Sequence, residues 1–172
     1  MQGNNKVHQH DDVVGQWLTF SLNDEVYGIE VLKVREALRL MEISIVPGSP
    51  SHVIGIINLR GQVITVNNVR MRLGLPDADV TDDSRIILIE TPDQTQGILA
   101  DSVSEIVNIN SSDVDYSTSQ ANDNNQYLIG TYKHGDILVI LLSAEDILFD
   151  GDEDGFWYLS YPGYLRDGIW SS

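Results

Sequence analysis

The chain has 172 residues, no cysteine and a formal net charge of −16. These values exclude a disulfide framework, a thiolate metal site and a cysteine nucleophile. The ten Lys and Arg residues are scattered and do not make the clustered basic surface that nucleic acid binding requires.

The length fits one domain or two small lobes around a shared core. Residues 1–14 are polar and aperiodic and read as a flexible N-terminal segment. They hold no apolar signal core, and no apolar run approaches the ~18 residues of a membrane-spanning helix. The expected compartment is therefore the cytoplasm, with no direct membrane insertion. The domain itself is expected over 15–149. Trp17, Thr19 and Ser21 alternate with Leu18, Phe20 and Leu22, which predicts a strand. Asn23, Asp24 and Glu25 form a turn, and residues 26–31 follow as a second strand. Residues 34–38 read as a third short strand, with a helical turn as the alternative. Pro47, Gly48 and Pro50 break the chain. Strands at 53–59 and 62–69 flank Arg60-Gly61, a hairpin with glycine where positive φ is tolerated. Residues 70–74 read as one helical turn closed by Gly74.

The second half repeats the theme. Strands are expected at 85–90, 96–100 and 103–109, then a long exposed loop over 110–126, rich in Ser, Asp, Asn and Gln. Strands at 127–132 and 136–142 pair across Lys133-His134-Gly135. Ser143 followed by Asp146 fits a helix N-cap, and a short helix over 144–149 closes the domain. Short strands at close spacing, with no long helices between them, argue for small barrels or a sandwich. Residues 150–172 change character, opening with DGDEDG and continuing with Phe156, Trp157, Tyr158, Tyr161, Tyr164 and Trp170. This acidic then aromatic tail is expected to lie outside the domain, as an interaction peptide or as unrelated sequence.

No Gly-rich phosphate loop, nucleophile elbow or nucleophile–base pair is visible, so no enzyme, catalytic residue or cofactor is expected. His8 and His10 fall in the lead-in, and His52 and His134 have no neighbouring carboxylate at metal spacing. Asp150, Asp152 and Asp154, with Gly155, reproduce the first half of a calcium loop. Tyr161 stands where the bidentate Glu belongs, and Pro162-Gly163 interrupts an exit helix. The plainer reading of this segment is a solvated acidic linker.

Residues 16–149 resemble the CheW family of chemotaxis coupling proteins. Three stretches carry the likeness in the family's order: FSLNDEVYGIEVLKVREAL, VPGSPSHVIGIINLRGQVITV and YLIGTYKHGDILVILLSAEDIL. They supply a YGI-type strand, a V-x-E strand, P-x-x-x-x-G-x-x-N-x-R-G, and a glycine with an apolar strand before a closing helix. The resemblance implies a mainly β fold of two SH3-like five-stranded barrel subdomains sharing an apolar core, with short helices. It also implies a non-enzymatic adaptor in bacterial chemotaxis, cytoplasmic and recruited to membrane-associated arrays. Its implied partners are methyl-accepting chemoreceptor cytoplasmic tips and the regulatory domain of the histidine kinase CheA. A CheW-like scaffold for a different receptor–kinase pathway, in motility or development, would use the same fold. A calcium-modulated binding module is a third reading.

Arg60 sits at a hairpin tip beside Gly61, free to reach a partner through bidentate contacts. A solvated turn cation, or a clamp onto Glu36, is the alternative. The resemblance places Glu36 at the family's acidic position. On a regular strand Val34 and Glu36 share a face, an apolar anchor beside an orienting charge. Asn58 either stabilises the hairpin or touches a partner. Val31, Val63 and Ile98 are candidates for the apolar slot in which the family receives the receptor helix tip. Two positions depart from the family pattern. Thr65 replaces a proline, which restores a backbone donor. Asn68 replaces an Asp, removing a charge that could pair with Arg70 or cap the next turn, although Asn can also cap.

Overall fold

A computed structural model describes residues 13–120 and 126–148. In chain order these form β1 (Val14–Leu22), β2 (Glu25–Glu30), β3 (Val34–Arg39), β4 (Val53–Leu59), β5 (Gln62–Asn67) and helix α1 (Val69–Leu73). Then come β6 (Arg85–Glu90), β7 (Thr95–Ala100), β8 (Ser102–Asn110), α2 (Ser117–Gln120), β9 (Leu128–His134), β10 (Ile137–Leu142) and α3 (Ala144–Ile147). The fold is mainly β, with two five-stranded sheets ordered β8-β1-β2-β10-β9 and β3-β6-β7-β5-β4. Among the described residues no helix is long and apolar enough to cross a membrane.

The two sheets share one strand plan. In the first, hairpin β1–β2 lies with β2 parallel to β10, and β10 pairs antiparallel with β9. In the second, hairpin β6–β7 lies with β7 parallel to β5, and β5 pairs antiparallel with β4. The remaining edge strands, β8 and β3, pair antiparallel with β1 and β6. Each parallel pair also leads into a short capped helix. Asn68 Oδ1 accepts from the Arg70 amide at 3.1 Å, and Ser143 Oγ accepts from the Asp146 amide at 3.3 Å. Gly55 of β4 and Gly130 of β9 occupy matching places, each beside an isolated bridge, Ser44 to Ile56 and Asp115 to Thr131. A Cβ on either glycine would strike the backbone oxygen of Ser44 or Asp115.

Side-chain alternation divides the apolar residues among three clusters. Phe20, Leu22, Ile29, Ile87, Ile89, Ile98 and Leu142 fill the space between the sheets. Trp17, Val107, Ile109, Val139 and Leu141 pack inside the first sheet. Ile57, Ile64, Val66, Ile86 and Leu88 pack inside the second. Strand β6 faces two of these clusters, which is why its centre reads as an unbroken apolar run. Each sheet curls until its edge strands approach, and a side-chain contact bridges each gap. His134 Nε2 lies 3.3 Å from Glu105 Oε1, and Arg60 Nη1 lies 3.4 Å from Glu36 Oε2. Arg70 of α1 donates to both Asp101 carboxylate oxygens at 2.6 and 2.9 Å, and Asp101 also accepts from the Asn23 amide at 2.8 Å. That cluster ties the helix after β5 to the β1–β2 turn.

Several local expectations change. Val31 leaves the second strand and enters a 3-10 turn, Val31–Lys33, where the chain crosses between sheets. Strand β5 ends at Asn67 because the Asn68 cap starts α1 at Val69. The stretch over 110–126 is not simply a loop. It holds a 3-10 turn capped by Asn110, the helix α2 and the Asp115 bridge to β9. His134 stays within β9, so the turn is Gly135-Asp136, with Gly135 at φ 63. His134 has one carboxylate neighbour, Glu105, which is distant in sequence. Helix α3 ends at Ile147; Phe149, the 1–12 lead-in and the 150–172 tail, including Asp150, Asp152 and Asp154, lie outside the described residues.

Candidate partner-binding site

The β4–β5 hairpin closes with a two-residue turn between Leu59 and Gln62. Both turn residues have positive φ, 52 for Arg60 and 84 for Gly61. Consecutive positive φ values match the strand twist, and glycine adopts them freely. Arg60 does not: a left-handed conformation costs a side-chain-bearing residue about 1–2 kcal/mol. Asn58 Oδ1 accepts from the Gly61 amide at 3.1 Å and holds the turn closed. This is the hairpin-stabilising one of the two roles open to Asn58.

Held in this way, the Arg60 guanidinium spans the gap to β3. Its Nη1 and Nη2 donate to the two Glu36 carboxylate oxygens at 3.4 and 3.5 Å. The geometry is a loose fork. The Arg60 side chain is 67% exposed and that of Glu36 31%. An exposed pair of this kind contributes about 0–1 kcal/mol, too little to explain a strained arginine at the tip. The fork is oriented and solvated, so a carboxylate or carbonyl from outside can compete for it.

Arg35 joins the cluster. Its Nη1 donates to Gln62 Oε1 at 3.2 Å, and its Nε lies 4.0 Å from Glu90 Oε1. Sequence reading missed Arg35, Gln62 and Glu90, because they meet only through the pairing of β3 with β6 and the approach of the β4–β5 hairpin to β3. Leu32 was missed too. It projects into solvent from the 3-10 turn next to Val31, and the one available signal was an apolar residue beside a crossover.

The apolar candidates divide. Val34 and Glu36 do not share a face. A bulge pairs Val34 with Ile89 but Glu36 with Leu88, and those neighbours on β6 point to opposite sides. Val34 consequently packs against the inter-sheet cluster, as does half-buried Val31. Glu36 is left at the open edge facing Arg60. Val63 is half-buried and sits opposite Asn58. Ile98 is fully buried in the inter-sheet cluster, so a partner cannot touch it without opening the core. The structure thus gathers Glu36, Asn58, Arg60 and Gly61 at one hairpin tip. Val31 and Val34 lie at the rim of the inter-sheet cluster with Ile98 inside it, and half-buried Val63 lies apart from them opposite Asn58.

The CheW-like domain family model matches residues 16–151. The chemotaxis protein CheW of Helicobacter pylori is 31% identical over 140 residues, covering 81% of this chain and 85% of that protein. The CheW of Bacillus subtilis is 33% identical over 98 residues, covering 57% of this chain and 63% of that protein. Among solved structures, the scaffolding protein CheW from Thermoanaerobacter tengcongensis superposes with a TM-score of 0.71. It is 28% identical, and the match covers 84% of this chain and 94% of that one.

Proposed function

This chain belongs to the CheW-like domain family, and from that premise we propose that it is a non-enzymatic chemotaxis adaptor that couples chemoreceptor cytoplasmic tips to the histidine kinase CheA. The working unit in this reading is the expected 15–149 together with Val14, which opens β1 opposite Asn110, and 150–172 lies outside it. The protein acts in the cytoplasm and is drawn to membrane-associated receptor arrays by its partners. The observation that carries the reading is the Arg60 fork: a strained, solvated guanidinium held 3.4 Å from Glu36 at a hairpin tip. Folding does not need an arginine there, whereas orienting a partner does.

Arg60 and Glu36 supply the polar contacts, while Asn58 and Gly61 fix the turn that presents them. Val31 and Val34 supply an apolar rim for a receptor helix, with Ile98 supporting it from inside the core, and Val63 is a separate apolar contact opposite Asn58. Each contact is weak alone, and an array multiplies weak contacts through effective concentration.

Reconstitution tests the reading. Purified protein is mixed with CheA and a clustered receptor fragment, and kinase autophosphorylation is followed with and without attractant. The wild type should raise kinase activity, and attractant should lower it. Arg60→Glu should abolish the effect while lowering folding stability by only about 1 kcal/mol, the scale of the exposed Glu36 pair it reverses. No change in kinase activity across several cognate receptor fragments would remove the coupling function and favour a scaffold wired to another receptor–kinase pathway.

A further inference from the structure

The shared plan of the two sheets makes Gln62, Val63 and Thr65 of β5 equivalent to Ile137, Leu138 and Ile140 of β10. In β5 that edge belongs to the hairpin carrying Arg60. In β10 the side chains form an apolar surface that nothing among the described residues covers. Ile137 and Leu138 are 49% and 52% exposed at the tip of their hairpin. With Val26 and Ile140 they line an open groove of about 700 Å³ whose remaining wall is Asp24 and Glu25. Asp136, in the adjoining turn, adds a third carboxylate nearby. Lys133 stands opposite Leu138 across the hairpin and is not among the lining residues.

The acidic wall is anchored. Tyr27 is buried beneath it and donates its hydroxyl to Glu25 Oε2 at 2.8 Å. Burial and the Glu25 hydrogen bond push the phenol pKa up, so the donor stays protonated and the Glu25 carboxylate keeps its position. Asp24 is fixed by a turn in which it and Asn23 both have positive φ, 71 and 54. An apolar floor with carboxylates fixed along one side suits a helix with aliphatic residues on one face and Lys or Arg beside them.

We infer that the groove between the β1–β2 turn and the β9–β10 hairpin is a second docking surface, taking a basic amphipathic helix from another protein. It lies on the sheet that does not carry Arg60. This inference goes beyond the receptor–kinase reading and does not depend on it.

The test follows backbone amide NMR signals of the full chain during titration with a peptide of about five helical turns, Leu on one face and Lys on the other. A second peptide replaces every Lys with Glu. The Lys peptide should shift the amides of Glu25, Val26, Gly135 and Leu138. Its affinity should fall about tenfold in Leu138→Asp, by loss of one apolar anchor. It should fall severalfold in Glu25→Gln, which keeps the Tyr27 hydrogen bond, and again as salt is raised. The Glu peptide should not bind. Thermal unfolding of both variants should match the wild type, since Leu138 is half-exposed and Glu25 is exposed. The inference is overturned by equal binding of the Glu peptide, by shifts spread over the acidic surface or centred on Arg60, or by no binding of either peptide. It is overturned equally if the unliganded chain self-associates through Leu138, or if removing residues 150–172 shifts the same amides. Those results would give the groove to a second copy or to the chain's own tail.

Discussion

Thr65 has its backbone paired with Ile56, yet its hydroxyl is buried with no hydrogen-bond partner among the described residues. Leaving a buried hydroxyl unpaired costs about 1–3 kcal/mol. Thr65→Val should therefore raise stability by about 1 kcal/mol, seen as a higher urea midpoint with an unchanged slope. Gly55 and Gly130 stand at the opposite extreme. Gly55→Ala or Gly130→Ala drives a methyl into backbone oxygen that cannot rotate away, and each should lower stability by about 1–3 kcal/mol or more. Asp101 gives a pH signature. Its carboxyl pKa is held below the usual carboxylate value, chiefly by the Arg70 hydrogen bond and then by the Asn23 amide, against the opposing effect of partial burial. A depressed folded pKa contributes stability that is present above the unfolded value of about 4 and disappears as pH falls through the folded value. Asp101→Asn should flatten the fall in stability below pH ~4 in acid titrations of the unfolding midpoint. The family resemblance pointed to Arg60, Glu36 and Asn58, and the structure brings these three to one hairpin tip. Ile98 was not, because an apolar run does not say which of its faces reaches solvent.

Hairpins and short strands were readable because their signals are local. Strand β4 matches its expected span at both ends, and Gly74 closes α1 at φ 70 as its position implied. The β3 bulge was not readable, since it exists only in register against β6 and nothing in Val34-Arg35-Glu36 announces it. The ordered stretch after β8 escaped for a similar reason: its polar composition hid the Asp115 bridge to β9. The departure at Asn68 has a structural answer. The side chain caps α1, and Arg70, which an Asp there could have engaged, is held by Asp101 instead. Asn68→Ala should cost about 1 kcal/mol, while Asn68→Asp should be nearly neutral by thermal denaturation.

Across the whole molecule, the strand plan repeats with a crossover. Residues 14–73 give β1–β2 to the first sheet and β3, β4 and β5 to the second. Residues 85–147 give β6–β7 to the second sheet and β8, β9 and β10 to the first. The halves match strand for strand, with α2 an addition in the second, yet little sequence betrays it beyond Ile54-Gly55 with Ile129-Gly130 and Gly28-Ile29 with Gly97-Ile98, because most positions need only the right polarity and side-chain volume. Neither half contains a complete sheet, so co-expressed pieces 13–78 and 79–148 should purify as a one-to-one complex while each alone stays unfolded by circular dichroism. The segment joining them, 76–83, is exposed and lies outside helix and strand. The architecture is thus that of an interlaced dimer written on one chain. Two molecules that opened at that joint could trade halves and rebuild every native contact, which makes strand exchange the characteristic misassembly at high concentration.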